Sequence, residues 1–369
     1  MDQDRKLLSR TAPLDSMPPL MERFLKLNAS DLHVSSDDTP FVRINGDLVP
    51  MPDEPMLKAA EVGQLARTLL GEERFARFEQ EQESDLAISL STGQRIRINA
   101  SMQRGSIALA IRLLSSNFIQ LEELGISRRI ISNICALRHG LVIVTGATGS
   151  GKSTTLASFI NELNISRQAH IVTIEEPIEY IHKSDSSYVT QREVGTDTKS
   201  FSEALRRSFR QDPDIVLIGE LRDQETIRAA LTLSETGHLT FGTLHTSEAF
   251  QTVIRIIGAF PPSEQERARL VLANTLRVVI CQQLLPRDDG NGRVLATETM
   301  IVNSAIRTLI NENKLNQIPT MIKTGGALGM STMNQSLAKR VREHMVSQDV
   351  ACAFSPDKED LLEEILYRG

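Results

Sequence analysis

At 369 residues, with 40% hydrophobic and 24% charged side chains, the chain is long enough for two ordinary soluble domains, each with its own core. A formal net charge of −6 argues against a general polyanion binder, which grips phosphates through a basic face. Three scattered cysteines (Cys135, Cys281 and Cys352) make no Cys-x-x-Cys pair, so neither a zinc ribbon nor a disulfide framework is readable. No apolar run approaches the roughly 18 residues of a spanning helix, and the N-terminus lacks a signal-peptide core. These features predict a cytoplasmic protein that meets a membrane only through partners.

Residues 1–16 read as a polar lead-in. Residues 17–115 read as an α+β domain of short alternating segments. Phe41–Ile44 ends at Asn45-Gly46, a hairpin turn signal, and Ser91-Thr92-Gly93 precedes the alternating Arg95–Ile98. Between them Val62, Leu65, Leu69 and Leu70 predict one helix over Ala59–Gln80. A linker is expected at 116–126.

Residues 127–345 carry a different pattern. The aliphatic runs Leu141–Val144, Ile171–Ile174, Ile215–Ile218 and Leu239–Leu244 alternate with helical segments. Runs apolar on both faces imply a parallel sheet buried on both sides, and ligands of such sheets sit beyond the carboxyl ends of the strands. After residue 260 the chain reads as helical. A capping box at Ser263 and Glu266 opens a helix running toward Leu285, and further helices are predicted at Ser304–Asn313 and Ser331–Glu343. Residues 346–369 are assigned to a C-terminal tail.

The chemistry begins after the first run. Gly146-Ala147-Thr148-Gly149-Ser150-Gly151-Lys152-Ser153 fills the pattern G-x-x-x-x-G-K-[ST], with a strand before it and a helix from Thr154 after it. The glycines let backbone N–H groups wrap phosphate oxygens, and the helix adds its positive N-terminal end. Lys152 supplies a point charge for the β- and γ-phosphates, and the Ser153 hydroxyl is a ligand for Mg²⁺. The expected ligands are therefore ATP and Mg²⁺, held by Gly146, Thr148, Gly149, Ser150, Gly151, Lys152, Ser153 and Thr154.

Hydrolysis also needs a metal holder and a group that orients or deprotonates water. The strand Ile215–Ile218 runs through Gly219 into Glu220, a Walker B layout that assigns Glu220 to Mg²⁺. Glu175, Glu176 and Glu179 crowd the end of the neighbouring run and call for a nearby cation. Pro177 breaks that strand ahead of Glu179, which is the choice for the water-activating base. His238 and His245 bracket a strand and point to opposite faces, which excludes a two-histidine metal site. His245, at the carboxyl end, is placed as a γ-phosphate sensor or a subunit contact. Arg95, Arg97 and Arg112 in the first domain, and Arg206, Arg207, Arg210 and Arg222 in the second, are candidates for phosphate contacts in trans.

Four motifs together resemble the type II/IV secretion ATPases, and most closely the PilT-like retraction motors of type IV pili. They are the P-loop; Ile174-Glu175-Glu176-Pro177-Ile178-Glu179-Tyr180, like the Asp box; Asp212-Pro213-Asp214 through Gly219-Glu220-Leu221-Arg222-Asp223, like Walker B; and Thr236-Gly237-His238 through Gly242-Thr243-Leu244-His245-Thr246, like the His box. Gln191-Arg192-Glu193-Val194 lies between the second and third. The similarity spans roughly residues 20–345.

The resemblance implies a PAS-like N-terminal domain followed by a RecA-like P-loop ATPase domain with a parallel-type central sheet and C-terminal helices. It also implies a cytoplasmic homohexamer at the inner membrane, with ATP between the domains and Arg97 and Arg112 reaching the phosphates. Glu179 matches the catalytic glutamate and Glu220 the Walker B glutamate. Ring motion would act on an inner-membrane platform protein, and the charge balance leads to no expected nucleic acid partner. The stretch Ala305–Glu312 is similar to the retraction family's helix motif, and the four-cysteine zinc motif of assembly motors is absent from the sequence. Departures stand at Glu176, where the family usually has Asp, and at Thr308 and Asn311, where it usually has Asn and Arg. Four readings are weighed: a retraction motor, a secretion or conjugation ATPase, a low-turnover nucleotide-gated scaffold ring, and a nucleic-acid translocase that shares the RecA-like core but lacks support in the charge balance.

Overall fold

A computed structural model describes residues 17–27, 29–44, 46–90, 94–114, 118–290 and 292–367. The lead-in 1–16 and the turn residues Asn45 and Ser91–Gly93 lie outside them. The chain divides into two units: residues 1–117 with 179–181, and residues 118–178 with 182–369.

The first unit is PAS-like. It contains α1 (Pro19–Lys26), β1 (Asp31–Ser35), β2 (Phe41–Ile44), β3 (Asp47–Pro50), α2 (Ala59–Leu70), α3 (Glu72–Glu81), β4 (Glu83–Ser89), β5 (Arg95–Gln103) and β6 (Ser106–Leu114). The strands form an antiparallel sheet in the order β3-β2-β1-β6-β5-β4. Alternation along β5 explains why it lies flat on a core. Ile96, Ile98 and Ala100 are buried with Val62, Leu69, Phe75 and Phe78 of the helices, while Arg97 and Asn99 face away from that core. The single helix predicted over Ala59–Gln80 is two. Gly71 stands between them with φ +75°, outside the right-handed helical region, closing α2 and opening α3.

The second unit is RecA-like. In order it contains α4 (Arg128–Ala136), β7 (Gly140–Thr145), α5 (Lys152–Ser166), β8 (His170–Glu175), β9 (Tyr188–Glu193), α6 (Phe201–Ser208), β10 (Ile215–Ile218), α7 (Gln224–Glu235), β11 (Leu239–Leu244), α8 (Ala249–Gly258), α9 (Pro262–Thr275), β12 (Leu276–Pro286), β13 (Arg293–Ile301), α10 (Ser304–Asn311), α11 (Ile318–Thr324), α12 (Met333–Arg342), α13 (Gln348–Phe354) and α14 (Lys358–Tyr367). The sheet order is β13-β12-β7-β11-β10-β8-β9, parallel throughout except for β13 on β12. Both faces are covered, so successive residues of one strand enter different cores. Leu141 and Ile143 pack with α6–α11, whereas Val142 and Val144 pack with α4 and α5. That double burial is why the four aliphatic runs read as continuous in the sequence.

Two expectations fail beyond residue 260. The helix predicted to run toward Leu285 stops at Thr275, and Leu276–Pro286 is β12, an eleven-residue strand beside β7. The capping box does not form either: Pro261 is the N-cap, Pro262 opens α9, and no side chain caps it. Proline at the first helical position fixes the required φ without a cap. Residues 348–367, within the stretch assigned to a tail, form α13 and α14. There Ala351 and Leu361 bury against Leu285, Met333 and Leu337.

Candidate active site

β7 delivers the loop Gly146–Gly151 into α5, and three of its glycines have positive φ: +143° at Gly146, +79° at Gly149 and +90° at Gly151. Gly146 is also needed for space. A Cβ there would stand 2.4 Å from the Gln282 carbonyl oxygen and 2.7 Å from Ser150 Oγ. Gln282 belongs to β12, which passes Thr145 at Cys281 and so backs the phosphate loop; its side chain donates to Thr155 Oγ1 at 2.7 Å. Gln282 does not stand out in the sequence, because the stretch that forms β12 continues the helical pattern of α9. The β-branched run Val278-Val279-Ile280 was the available signal.

Around Gly149 a Cβ would meet open space, and Thr148 and Ser153 are exposed while Thr154 is half-buried. Ser150 Oγ is buried without a hydrogen-bond partner among the described residues. Lys152 Nζ donates to the carbonyls of Gly146 at 2.8 Å and Ala147 at 2.9 Å. A loop free of side-chain bulk, an ammonium group, an exposed hydroxyl on the first turn of α5 and an unpaired hydroxyl beneath it together fit a polyphosphate and its Mg²⁺.

The ends of the neighbouring strands complete the site. Glu220, two residues past β10, takes Arg222 Nε at 2.7 Å and His245 Nε2 at 3.2 Å. On its other side the His245 ring presents Nδ1 to Lys152 Nζ at 3.5 Å. Because an ammonium only donates, Nδ1 is the acceptor, and the Nε2–H tautomer then serves Glu220. Arg222 also reaches Glu176 at 2.9 Å, and its hydrogen bond to Glu220 is the main cause raising its pKa above the ordinary arginine value. Lys152, His245, Glu220, Arg222 and Glu176 thus form one polar chain across the carboxyl edge of the sheet.

Backbone and hydroxyl bonds fix that edge. Thr246 N donates to Thr145 Oγ1 at 2.8 Å, and Thr246 Oγ1 pairs with Thr252 Oγ1 at 2.6 Å, tying β7 to β11 and α8. Thr243 Oγ1 donates to the Gly219 carbonyl, and Leu221 N to the Thr243 carbonyl at 3.0 Å, tying β10 to β11. Asp223 caps α7 by accepting from Thr226 N at 2.8 Å. The motif around Glu220 therefore also starts a helix.

Not every residue singled out in the sequence joins this network. Arg97 and Arg112 belong to the first unit, where they are cross-strand partners on β5 and β6 and pair with Asp85 (3.6 Å) and Asp31 (2.7 Å). Arg95 is buried in that unit. Glu179 is half-buried and groups with the first unit, one residue beyond buried Ile178. Arg207 pairs with Glu203 along α6. Arg206 and Arg210, on α6 and just past it, are exposed. His238 is satisfied locally by the Leu233 carbonyl at 3.0 Å and Thr236 Oγ1 at 3.1 Å. Arg222, a candidate for a contact in trans, bridges two carboxylates of its own unit.

A P-loop at the first strand's end, with a carboxylate, a histidine and an arginine converging from the neighbouring strands, defines a RecA-like P-loop ATPase. The type II/IV secretion system protein family matches residues 12–349, and the chain belongs to it. It is 42% identical to a twitching motility protein of Neisseria gonorrhoeae over 341 residues, covering 91% of each chain. It is 43% identical to the type IV pilus retraction ATPase PilT of Pseudomonas aeruginosa over 326 residues, covering 88% of this chain and 94% of that one. A crystal structure of the pilus retraction motor PilT with bound ADP superposes with a TM-score of 0.86 at 41% identity, covering 93% of this chain and 98% of the other.

Proposed function

We propose that this chain hydrolyses ATP to power the retraction of type IV pili, working as a homohexameric ring on an inner-membrane platform protein at the cytoplasmic face. The observation that carries the mechanism is the chain Lys152–His245–Glu220–Arg222–Glu176 beside the phosphate loop. The retraction role is supported by likeness over about nine-tenths of the length to a twitching motility protein and a pilus retraction ATPase, and nucleotide binding by the ADP in the solved relative.

In this reading Lys152 exchanges its two loop carbonyls for the β- and γ-phosphate oxygens of the substrate. The glycine loop and the N-terminus of α5 hold those phosphates. Ser153 and Glu220 would hold Mg²⁺, which when bound supplies positive charge against the phosphate oxygens. His245 links Lys152 to Glu220 and keeps both oriented. Arg222 holds Glu220 and Glu176 apart from one another's charge. Glu179 accepts the proton of the attacking water, and Arg97 and Arg112 offset charge on the phosphates. Among the described residues no helix is long and apolar enough to cross a membrane, in keeping with attachment through partners.

Deletion of the gene followed by counting surface pili tests the reading. Excess pili with lost twitching is the expected result, and bald cells would overturn it. A secretion or conjugation ATPase is the second reading, favoured by Thr308 and Asn311 in the helix that resembles the retraction motif. Thr308 Oγ1 turns back to the Ser304 carbonyl at 3.0 Å. Unchanged pili with a secretion defect would select that alternative.

A further inference from the structure

The motif Gln191-Arg192-Glu193 is used by none of the steps above, yet two of its side chains converge on a single short segment. Residues 179–181 leave the second unit and rejoin it at His182. At the departing end Ile178 N donates to Glu193 Oε2 at 3.0 Å. At the returning end His182 N donates to Gln191 Oε1 at 2.7 Å. Both acceptors stand on β9, two residues apart and therefore on one face of the strand. The same Gln191 donates to Glu175 Oε1 at 3.3 Å, and Glu175 is also bonded by Thr173 Oγ1 at 2.6 Å. Phe118 stacks on the His182 ring with centroids 4.7 Å apart, stiffening the return.

We propose that Gln191 and Glu193 are positioning residues for hydrolysis: they clamp the backbone amides on either side of the segment that carries Glu179 and so set where its carboxylate stands. The inference rests on the reading of Glu179 as the base. The type of acceptor supports it. Glu193 is buried, and a carboxylate is costly to bury unless its oxygens are engaged. Here one oxygen takes Ile178 N and the other takes Thr196 Oγ1 at 3.2 Å. Strand β9 is itself pinned in parallel register to β8, with Gln191 opposite Thr173 and Glu193 opposite Glu175. The clamp is thus built on the sheet, and the loop is held by it. A catalytic group displaced by about 1 Å loses on the order of a hundredfold in rate.

The test is steady-state ATPase activity and nucleotide affinity of the full-length protein carrying Gln191→Ala, Glu193→Ala or Glu193→Gln, each alone and combined with Glu179→Gln. Positioning predicts that the two alanine variants lower kcat about 10- to 100-fold with KM and fluorescent-ATP affinity within about threefold. Glu193→Gln, which keeps an acceptor for Ile178 N, should stay within about threefold of the parent. In the Glu179→Gln background neither alanine change should lower turnover further, because the group they place is already gone. Loss of nucleotide affinity in step with kcat, or a full additional loss in that background, would mean a structural role and overturn the proposal. So would unchanged kcat in both alanine variants. Should Glu179→Gln itself retain parental turnover, the base assignment fails instead. Gln191→Ala leaves the buried carboxylate in place, so the clamp stays testable even where Glu193→Ala fails to fold.

Discussion

His182 shows how one buried ring couples stability to pH. Burial alone lowers its pKa to about 4, and Nδ1 has no hydrogen-bond partner among the described residues. The folded protein therefore keeps the ring neutral across the range in which an unfolded chain, with a pKa near 6.5, takes up a proton. Above about pH 6.5 both states are neutral and the ring contributes no pH dependence. As the pH falls toward 4 the unfolded state binds more protons, so stability declines, and the loss levels off once the folded ring is protonated as well. The span of about 2.5 pH units corresponds to roughly 3 kcal/mol at most. Urea titrations between pH 7 and 4 should show that decline, and His182→Phe should flatten it by about this amount. A slope unchanged by the substitution would assign the acid sensitivity to other groups. The glycine loop was legible in the sequence because its chemistry follows from residue identity and spacing. The bridging by Arg222 was not, because it depends on Glu176 and Glu220 lying on adjacent strand ends, 44 positions apart in the chain.

Strands β7, β8, β10 and β11 were readable because double burial leaves an unbroken aliphatic run bounded by polar residues. β12 has the same burial but follows α9 without a break, Thr275 ending one and Leu276 beginning the other. Without a turn residue between them, the apolar stretch looked like the helix carried forward. Periodicity alone does not separate a buried strand from a buried helix. The packing separates them: Val279 enters the core of α6–α11 and its neighbour Ile280 enters the core of α4 and α5, an alternation of period two. Ile280→Ala should therefore cost about 2–5 kcal/mol, the range for truncating a fully buried isoleucine. Leu270→Ala on α9, where the side chain is 49% exposed, should stay within about 0.5 kcal/mol. Chemical denaturation of the two variants checks the pair. Equal, small losses would contradict the buried strand. β9 escaped detection for a different reason: Tyr188–Glu193 is an edge strand with polar residues on both sides, so its β-forming Tyr188-Val189-Thr190 lacks the apolar alternation that marks a strand.

A ring whose nucleotide drives motion differs from one whose nucleotide only gates assembly, and two substitutions bear on the difference. A scaffold ring needs ATP bound; a motor needs it cleaved. Lys152→Ala removes the charge from the phosphate loop and impairs binding and hydrolysis together, so it cannot distinguish them. Glu179→Gln leaves the loop, Lys152, His245 and Glu220 intact and keeps the side chain's shape, yet removes the group assigned to take the water's proton. Turnover should fall about 10²- to 10⁴-fold, the usual contribution of general base catalysis, while nucleotide affinity persists. Mass measurement in solution should give the same oligomer for this variant as for the parent. Introduced into the deletion strain, the Glu179→Gln allele should leave cells with excess pili and no twitching if cleavage does the mechanical work. Restored twitching, with the purified variant shown to bind ATP and turn it over at the reduced rate, would establish the low-turnover scaffold. The net charge of −6 adds a second arm to the same purified proteins. A translocase of this fold would be stimulated by single-stranded DNA with a steep salt dependence, and the parent's turnover is expected to be unchanged by it at 50 or 200 mM salt. A motor pulling on a protein platform gives loss of twitching with Glu179→Gln and indifference to DNA, a pair of outcomes that neither the scaffold nor the translocase reproduces.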